Sequence, residues 1–169
     1  MRALILCAGQ GTRLGLKNTP KCMVKVNKKP VLEHLVNHLN KHGITEIIVN
    51  VHKNYDKIFK YFGTRLLYFY EPTLLGEAGT ERQLSNWLGD EYIVMNGDTL
   101  TNLNLTEIYK WSEHCKEFKA LDKNDLYMGT KVVRRQAQEL ADGYINHGAY
   151  YYDIGTPKGL AKARRELKP

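Results

Sequence analysis

The stretch LCAGQGTRLGLKNTPK (6–21) places three glycines, an arginine and a lysine directly after a short apolar run. Glycine is selected where φ must be positive or where backbone must approach something closely, so Gly9, Gly11 and Gly15 predict a chain wrapped around a ligand. The chemistry that suits these residues is the cradling of a polyanion. Backbone N–H groups can converge on phosphate oxygens, Arg13 can fork onto two of them, and Lys21 adds a point charge without demanding planar geometry. The stretch is not a Walker loop, because the GK[ST] ending is absent. It also differs from the dinucleotide fingerprint, in which a helix opens directly from the glycines, whereas here the next helical pattern follows Pro30. Glycines in a long turn also serve purely structural ends, and both readings stand at this point.

A loop of this kind acts only if rigid elements hold it. ALILC (3–7) reads as a strand and VLEHLVNHLNKHG (31–43) as a helix with Leu32, Leu35, Val36 and Leu39 on one face and Gly43 as its stop. EIIVNV (46–51), LLYFY (66–70) and YIVMN (92–96) read as further strands, with helices over 55–62 and about 79–88 between them. This alternation predicts parallel strands joined by right-handed crossovers, with helices on both faces. The expected fold is α/β, a Rossmann-like three-layer sandwich with a mostly parallel central sheet. In such sheets ligands lie beyond the carboxyl ends of the strands, where the glycine loop, Glu71 and Asp98 all fall. Beyond residue 113 the pattern weakens, and only a strand near 127–133 is expected before GAYYYDIG (148–155) resumes as one. TPKGLAKARREL then reads as a helix capped by Thr156, with Pro157 in its first turn and Leu160, Ala163 and Leu167 on one face.

The chain has 169 residues, enough for one domain with a real core, and 43% of them are hydrophobic. One domain of three sections is expected: the regularly patterned 1–113, the weakly patterned 114–147, and a final strand and helix (148–169). The formal charge of +7 suits an acidic ligand or a solvated basic surface, since no block of like charges occurs. Cys7, Cys22 and Cys115 lack metal-knuckle or disulfide spacing and read as reduced thiols. No apolar run approaches membrane-spanning length, and the first is too short for a signal-peptide core, so a cytoplasmic protein without membrane partners is expected. Nucleic acid is not an expected partner, for want of an arginine-rich helix or an aromatic RNP-like strand. His34, His38 and His42 are expected on the solvated side of their helix rather than on a metal. Trp87 and Trp111 are expected in the core, and Tyr144, Tyr150, Tyr151 and Tyr152 along a strand beside it.

The N-terminal string, with its strand, AGxGTRL, PK-x-M and KP-V-L-E helix, closely resembles the signature of sugar-phosphate nucleotidyltransferases. EPTLLGEAGT (71–80), VMNGDTL (94–100) and YYDIGTPKGLAKAR (151–164) match further motifs in order. The last resembles the branch containing mannose-1-phosphate and heptose-1-phosphate guanylyltransferases. The resemblance implies attack of a sugar 1-phosphate oxygen on the α-phosphorus of a nucleoside triphosphate, with loss of pyrophosphate. It implies that Asp98 and Asp153 hold Mg²⁺, that Arg13 neutralises the leaving pyrophosphate, and that Lys21 contacts phosphate near the reacting centre. It further implies that Leu6, Ala8, Gly9, Gly11, Thr12, Glu71, Gly76, Asn96 and Gly97 surround the nucleotide. A carboxylate at Glu71 can accept from guanine N1–H and its 2-amino group, which leans towards GTP. Read singly, Asp98 in NGDT is also a good turn residue, Asp153 a good helix N-terminal acid, and Glu71 a plausible strand-end residue.

The chain departs from the family between the GD and DIGTP motifs, where relatives carry a longer segment with an EK pair. No EK dipeptide lies between Thr101 and Asp153. INHG (145–148) partly matches the family's NAG element, so Asn146 is a candidate acceptor contact. Lys131, Arg134 and Arg135 are candidates for the missing phosphate lysine. The compaction is consistent with a smaller acceptor, an abbreviated pocket, or completion by a second copy in a homo-oligomer. Cytidylyl or uridylyl transfer to a small phosphorylated alcohol such as phosphocholine, and a silent nucleotide-binding domain, remain alternatives. The silent domain is disfavoured because Arg13, Lys21, Asp98 and Asp153 are all present.

Overall fold

A computed structural model describes residues 1–9, 11–122, 126–137, 139–140, 143–144 and 149–167. The first strand, β1 (Arg2–Leu6), is followed by two short 3₁₀ turns, Thr12–Leu14 and Lys21–Met23, and a small hairpin of β2 (Lys25–Val26) and β3 (Lys29–Pro30). Then come α1 (Val31–Lys41), β4 (Ile47–Val51), α2 (Tyr55–Phe62), β5 (Leu67–Tyr70), α3 (Gly76–Gln83), α4 (Ser85–Leu88) and β6 (Glu91–Asn96). The remainder is β7 (Thr99–Thr101), α5 (Leu105–Trp111), β8 (Cys115–Leu121), β9 (Tyr127–Arg134), β10 (Glu139–Leu140), β11 (Gly143–Tyr144), β12 (Tyr151–Asp153) and α6 (Pro157–Glu166).

The main sheet runs in the order β10-β8-β9-β6-β1-β4-β5, with β11 also paired to β8. Strands β6, β1, β4 and β5 are mutually parallel, and β9 joins them antiparallel to β6. The mixed, mostly parallel sheet expected from the alternation is therefore present. Successive residues of β1 serve opposite faces, as a strand requires. Ala3 and Ile5 enter a large core with Leu32, Leu35 and Leu39 of α1 and Ile58 and Phe62 of α2. Leu4 enters a second, smaller core with Leu84, Leu88, Tyr92 and Val94. Helices thus cover both faces, and complete burial of β4 accounts for its run of apolar residues, broken only by Asn50.

Several expectations change. The helix anticipated over 79–88 is two helices broken at Leu84, and the first opens three residues earlier, at Gly76, whose φ of 70° lies in the left-handed region. The strand anticipated over 148–155 is confined to 151–153 within the described residues. α5 and β8 have no counterpart in the sequence reading. In β8 the residues Lys116, Glu117 and Lys119 interrupt any clean alternation, because Glu117 and Lys119 are committed to ion pairs. Trp111 is 42% exposed rather than in the core, whereas Trp87 packs against the second core as expected. Helix α6 is capped as read, the Thr156 hydroxyl accepting from the Gly159 N–H, with Ala163 fully buried. No described helix is long and apolar enough to cross a membrane.

The helix-α1 histidines also differ from expectation, being half-buried rather than solvated. Nε2 of His34 lies 2.9 Å from the Val26 carbonyl, and Nε2 of His38 is buried without a partner among the described residues. Burial, and then the neighbouring His42 ring, lowers the His38 pKa from 6.5 to about 4. Because the folded value lies below the unfolded one, the neutral ring contributes stability that is complete above pH 6.5 and is lost as pH falls towards about 4. The melting temperature should fall across that window, and His38→Gln should flatten the fall by about 5 °C. Parallel melting curves for the two proteins from pH 7 to pH 4.5, recorded by circular dichroism, would refute this assignment.

Candidate functional site

The carboxyl ends of three parallel strands are level: Leu6 of β1 is in register with Asn50 of β4 and with Asn96 of β6. Beyond them opens a cavity of about 340 Å³ lined by Leu6, Ala8, Gly9, Lys21, Glu71, Gly76, Asn96, Gly97 and Asp98 of the sequence-derived set. Cys7, Cys22, Asn50, Leu74 and Glu77 also line it. Gly97 sits where the chain leaves β6 against the end of β1, and its N–H donates to the Leu6 carbonyl at 2.9 Å. A Cβ there would lie 2.6 Å from that carbonyl oxygen and 2.8 Å from Cys7 Sγ, so only glycine fits.

One residue that sequence reasoning passed over ties these strand ends together. Asn50 is 4% exposed within the otherwise apolar β4. Its Oδ1 accepts from the Cys7 and Ala8 N–H groups at 2.6 and 3.3 Å, and its Nδ2 donates to Glu71 Oε1 at 3.0 Å. The entry to the glycine loop is thereby oriented by a side chain that also holds Glu71, at the end of the neighbouring strand β5. The signal that could have exposed Asn50 is its chemistry: a buried polar group in an apolar run must have a partner.

Glu71 lines the cavity, but it is 1% exposed and its carboxylate is already well supplied. The Thr80 hydroxyl donates to Oε1 at 2.5 Å alongside Asn50, and the Leu75 N–H donates to Oε2 at 3.2 Å. What remains for a ligand is acceptor capacity on Oε2, one oxygen rather than a free bidentate carboxylate.

Asp98 and Asp153 come together although they lie 55 positions apart in the chain. β12 pairs antiparallel with β7, setting Asp153 opposite Thr99, and the Ile154 N–H donates to the Asp98 carbonyl at 2.9 Å. The Lys21 ammonium forms an ion pair with Asp98 Oδ2, both side chains being largely shielded. Asp153 Oδ1 accepts from the Gly155 N–H at 2.8 Å. A Cβ on Gly155 would lie 2.7 Å from Asp153 Oδ1 and would collide with the Lys21 ammonium. One point in space is therefore flanked by the lysine charge and the second carboxylate. Among the described residues no trio of His, Cys, Asp and Glu gathers as a self-sufficient metal cage. The two carboxylates form an open site suited to a hard cation that keeps oxygen ligands from water or phosphate.

Other candidates fall outside the main cavity. Thr12 and Arg13 are exposed on the 3₁₀ turn, with Gly11 at a φ of 65° before it. Thr12 lines an adjoining cavity of about 210 Å³ that shares Ala8 and Gly9 with the first and also contains Lys17, His52 and Lys53, none of which sequence reasoning selected. Nothing in their spacing marks them, because 52–53 reach the loop only through the β4 strand end. Lys131, a candidate acceptor-phosphate lysine, does not line the cavity: its ammonium lies 2.7, 2.9 and 2.8 Å from Glu77, Glu81 and Glu117, which engages its donors fully. Arg134 is likewise engaged, with Glu91 and the Tyr109 carbonyl, and Arg135 donates to the Ser85 carbonyl at 2.9 Å. Asn146 lies outside the described residues. Burial and a hydrogen bond between the thiols of Cys22 and Cys7, the latter being the larger cause, push Cys7 well above the usual thiol range.

Comparison with known proteins agrees with this geometry. The profile of the MobA-like NTP transferase domain matches residues 3–101. D-glycero-alpha-D-manno-heptose 1-phosphate guanylyltransferase of Campylobacter jejuni is 34% identical over 89% of this chain and 75% of its own length. The enzyme of the same description from Aneurinibacillus thermoaerophilus is 31% identical over 89% of this chain and 74% of its own. The chain spans a smaller share, 40%, of the Synechocystis UTP–glucose-1-phosphate uridylyltransferase, to which it is 30% identical. HddC from Yersinia pseudotuberculosis, solved also in complex with GMP-PN, superposes with a TM-score of 0.84 at 20% identity, covering 99% of both chains, and shares the fold. UDP-glucose pyrophosphorylase from Acinetobacter baumannii superposes at 0.86 with 15% identity, covering 96% of this chain and 91% of that one. With a domain profile covering more than half of its residues and a guanylyltransferase 34% identical over most of both lengths, the chain belongs to the MobA-like NTP transferase family and is a nucleotidyltransferase.

Proposed function

We propose that this protein transfers a nucleoside monophosphate from a nucleoside triphosphate, GTP in preference, to a sugar 1-phosphate, releasing pyrophosphate and forming a nucleoside diphosphate sugar. The observation that carries this reading is the meeting of Asp98, Asp153 and Lys21 at the mouth of a cavity walled by backbone from the glycine loop. Both reactants are anions, so the protein's task is to suppress their repulsion and hold them in line. An oxygen of the sugar phosphate forms a bond to the α-phosphorus as the bond from that phosphorus to the bridging oxygen breaks, and the electron pair leaves with pyrophosphate. No protein nucleophile is needed.

The base would lie against Leu6, Asn96, Gly97, Glu71 and Gly76, with the triphosphate crossing Ala8 and Gly9. The adjoining cavity, with Lys17, Lys53 and the nearby Arg13, suits the departing pyrophosphate. Its charges would stabilise the leaving group as negative charge builds on it. Asp98 and Asp153 would hold Mg²⁺, and the donor set fits: two hard carboxylate oxygens converge where the fold already stabilises a positive charge, that of Lys21. The cation would supply charge neutralisation at the phosphate oxygens. Lys21, released from Asp98 by that cation, would be free to contact phosphate. The lean towards guanine rests on the remaining acceptor on Glu71 Oε2 and on the two guanylyltransferase relatives, whose acceptor makes heptose 1-phosphate the leading sugar for this chain. The acceptor region of this chain is short, and a homo-oligomer would be one way of completing it.

Pyrophosphate release should appear with Mg²⁺, GTP and a manno-configured sugar 1-phosphate when the common nucleoside triphosphates are screened against sugar 1-phosphates and phosphocholine. Silence across the whole panel would remove the activity, and turnover only with CTP and phosphocholine would replace it. Asp98→Asn and Asp153→Asn should each lower kcat by about a thousandfold or more with the melting temperature nearly unchanged. Ordinary turnover in either variant would end the metal assignment. Asn50→Ala strands the Cys7 and Ala8 N–H groups and should destabilise the fold by about 2 kcal/mol in urea while weakening nucleotide binding; an unaltered unfolding midpoint would show that Asn50 is not the strut described.

A further inference from the structure

Helix α3 forms one wall of the nucleotide cavity, yet it lacks the apolar stripe that normally seats a helix on a sheet. Thr80 is its only buried residue. Its attachment is polar: Thr80 to Glu71, and Glu77 and Glu81 to Lys131 on the neighbouring part of the sheet. Lys131 is 5% exposed in the middle of β9, and its third partner is Glu117 of β8. One ammonium thus ties three elements together. Glu77 and Glu81 are one helical turn apart, a spacing at which like charges repel when nothing lies between them.

The surroundings of this cluster are specific. Across β8, Lys119 is in register with Lys131 and pairs with Glu117 at 3.3 Å. On β6 the partner of Lys131 is uncharged Val94, while the Tyr92 hydroxyl donates to Glu81 at 2.7 Å and carries Arg135 against its ring at 5.2 Å. On β9 itself the Tyr127 hydroxyl is buried without a partner among the described residues, and burial and then the charge of Glu77 push its pKa up. Desolvation works against the lysine charge, and its three carboxylates more than offset that, holding it protonated. Glu77 is the member that reaches the cavity, with its side chain 37% exposed there.

We propose that Lys131 is a positioning residue for nucleotide binding: by gripping Glu77 and Glu81 it fastens α3 to the sheet and fixes the Gly76–Glu77 edge of the cavity. The inference rests on the nucleotide reading of that cavity. It assigns Lys131 to the donor substrate and not to the acceptor phosphate. Removing the lysine would leave three carboxylates facing one another beside a site for a polyanion. Their pKa values would rise through mutual repulsion, so mild acid would partly restore the helix by protonating them.

The test is the dissociation constant for GTP, measured by calorimetry at pH 8 and pH 6, with melting temperatures recorded alongside. Lys131→Met should weaken binding about tenfold at pH 8, the loss of an ion-paired hydrogen-bond cluster, and should regain most of that at pH 6, a gain the wild type lacks. Lys131→Arg, which keeps the charge, should remain within about threefold of wild type. In turnover the KM for nucleotide should move more than kcat. A folded Lys131→Met protein that binds GTP as the wild type does at both pH values overturns the inference, and so does a change confined to the acceptor KM. Glu77→Ala provides a second arm that does not depend on burying a methionine. Loss of a charge beside a polyanion would tighten binding if Glu77 acted only electrostatically, whereas the positioning role requires weaker binding. A wild-type protein that binds no nucleoside triphosphate defeats the nucleotide reading itself; wild-type binding with an unaffected Lys131→Met defeats this inference alone.

Discussion

The site depends on holding like charges close together where more of the same sign must enter. Asp98 and Asp153 are brought to adjacent strand ends by the β7–β12 pairing, and both reactants of the proposed transfer are phosphate anions. Such an arrangement is tolerable only with positive charge at its centre. Before any ligand arrives the Lys21 ammonium supplies it, against Asp98 and beside Asp153, in a space that Gly155 keeps clear. The same requirement explains why the second cavity collects Lys17 and Lys53 rather than carboxylates.

The cavity walls follow a related rule. The parallel strands β4, β1 and β6 contribute apolar packing below the site, but above it the chain is irregular and its polar groups need partners. Asn50 satisfies the first amides of the glycine loop and reaches Glu71; Glu71 and Thr80 seat α3; Lys131 seats the other side of the same helix. One wall of the cavity is thus a helix that hydrophobic packing alone would not hold. The wall is set by directional hydrogen bonds, which fix position more sharply than an apolar stripe does.

Family membership agrees with this picture at the level of fold and reaction type. The carboxyl-end location of the cavity is what an open α/β sheet dictates, and the helices of the first 100 residues lie on both faces as crossovers require. The section between β7 and β12 adds to this framework. There β8 and β9 extend the sheet, and Lys131 of β9, paired also with Glu117 of β8, anchors α3.

Much of this was legible in the amino-acid order because it depends on local chemistry. Apolar runs separated by 3.6-period segments specified β1, α1, β4, α2, β5 and β6, and Thr156 with Pro157 marked the start of α6. The glycine, lysine and aspartate motifs pointed to the cavity because their residue types suit phosphate wherever they meet. β8, α5 and the break at Leu84 were not legible: charges that face buried partners look, in a string, the same as charges that face water. The surroundings of Glu71, Lys131 and the α1 histidines were hidden for that reason, since they are set by neighbours distant along the chain. The sequence alone determined which chemistry could occur and the strand ends at which it would sit. Only the tertiary structure decided which carboxylates each lysine meets, Asp98 for Lys21 and three glutamates for Lys131, because that depends on distances between side chains that chain connectivity does not constrain.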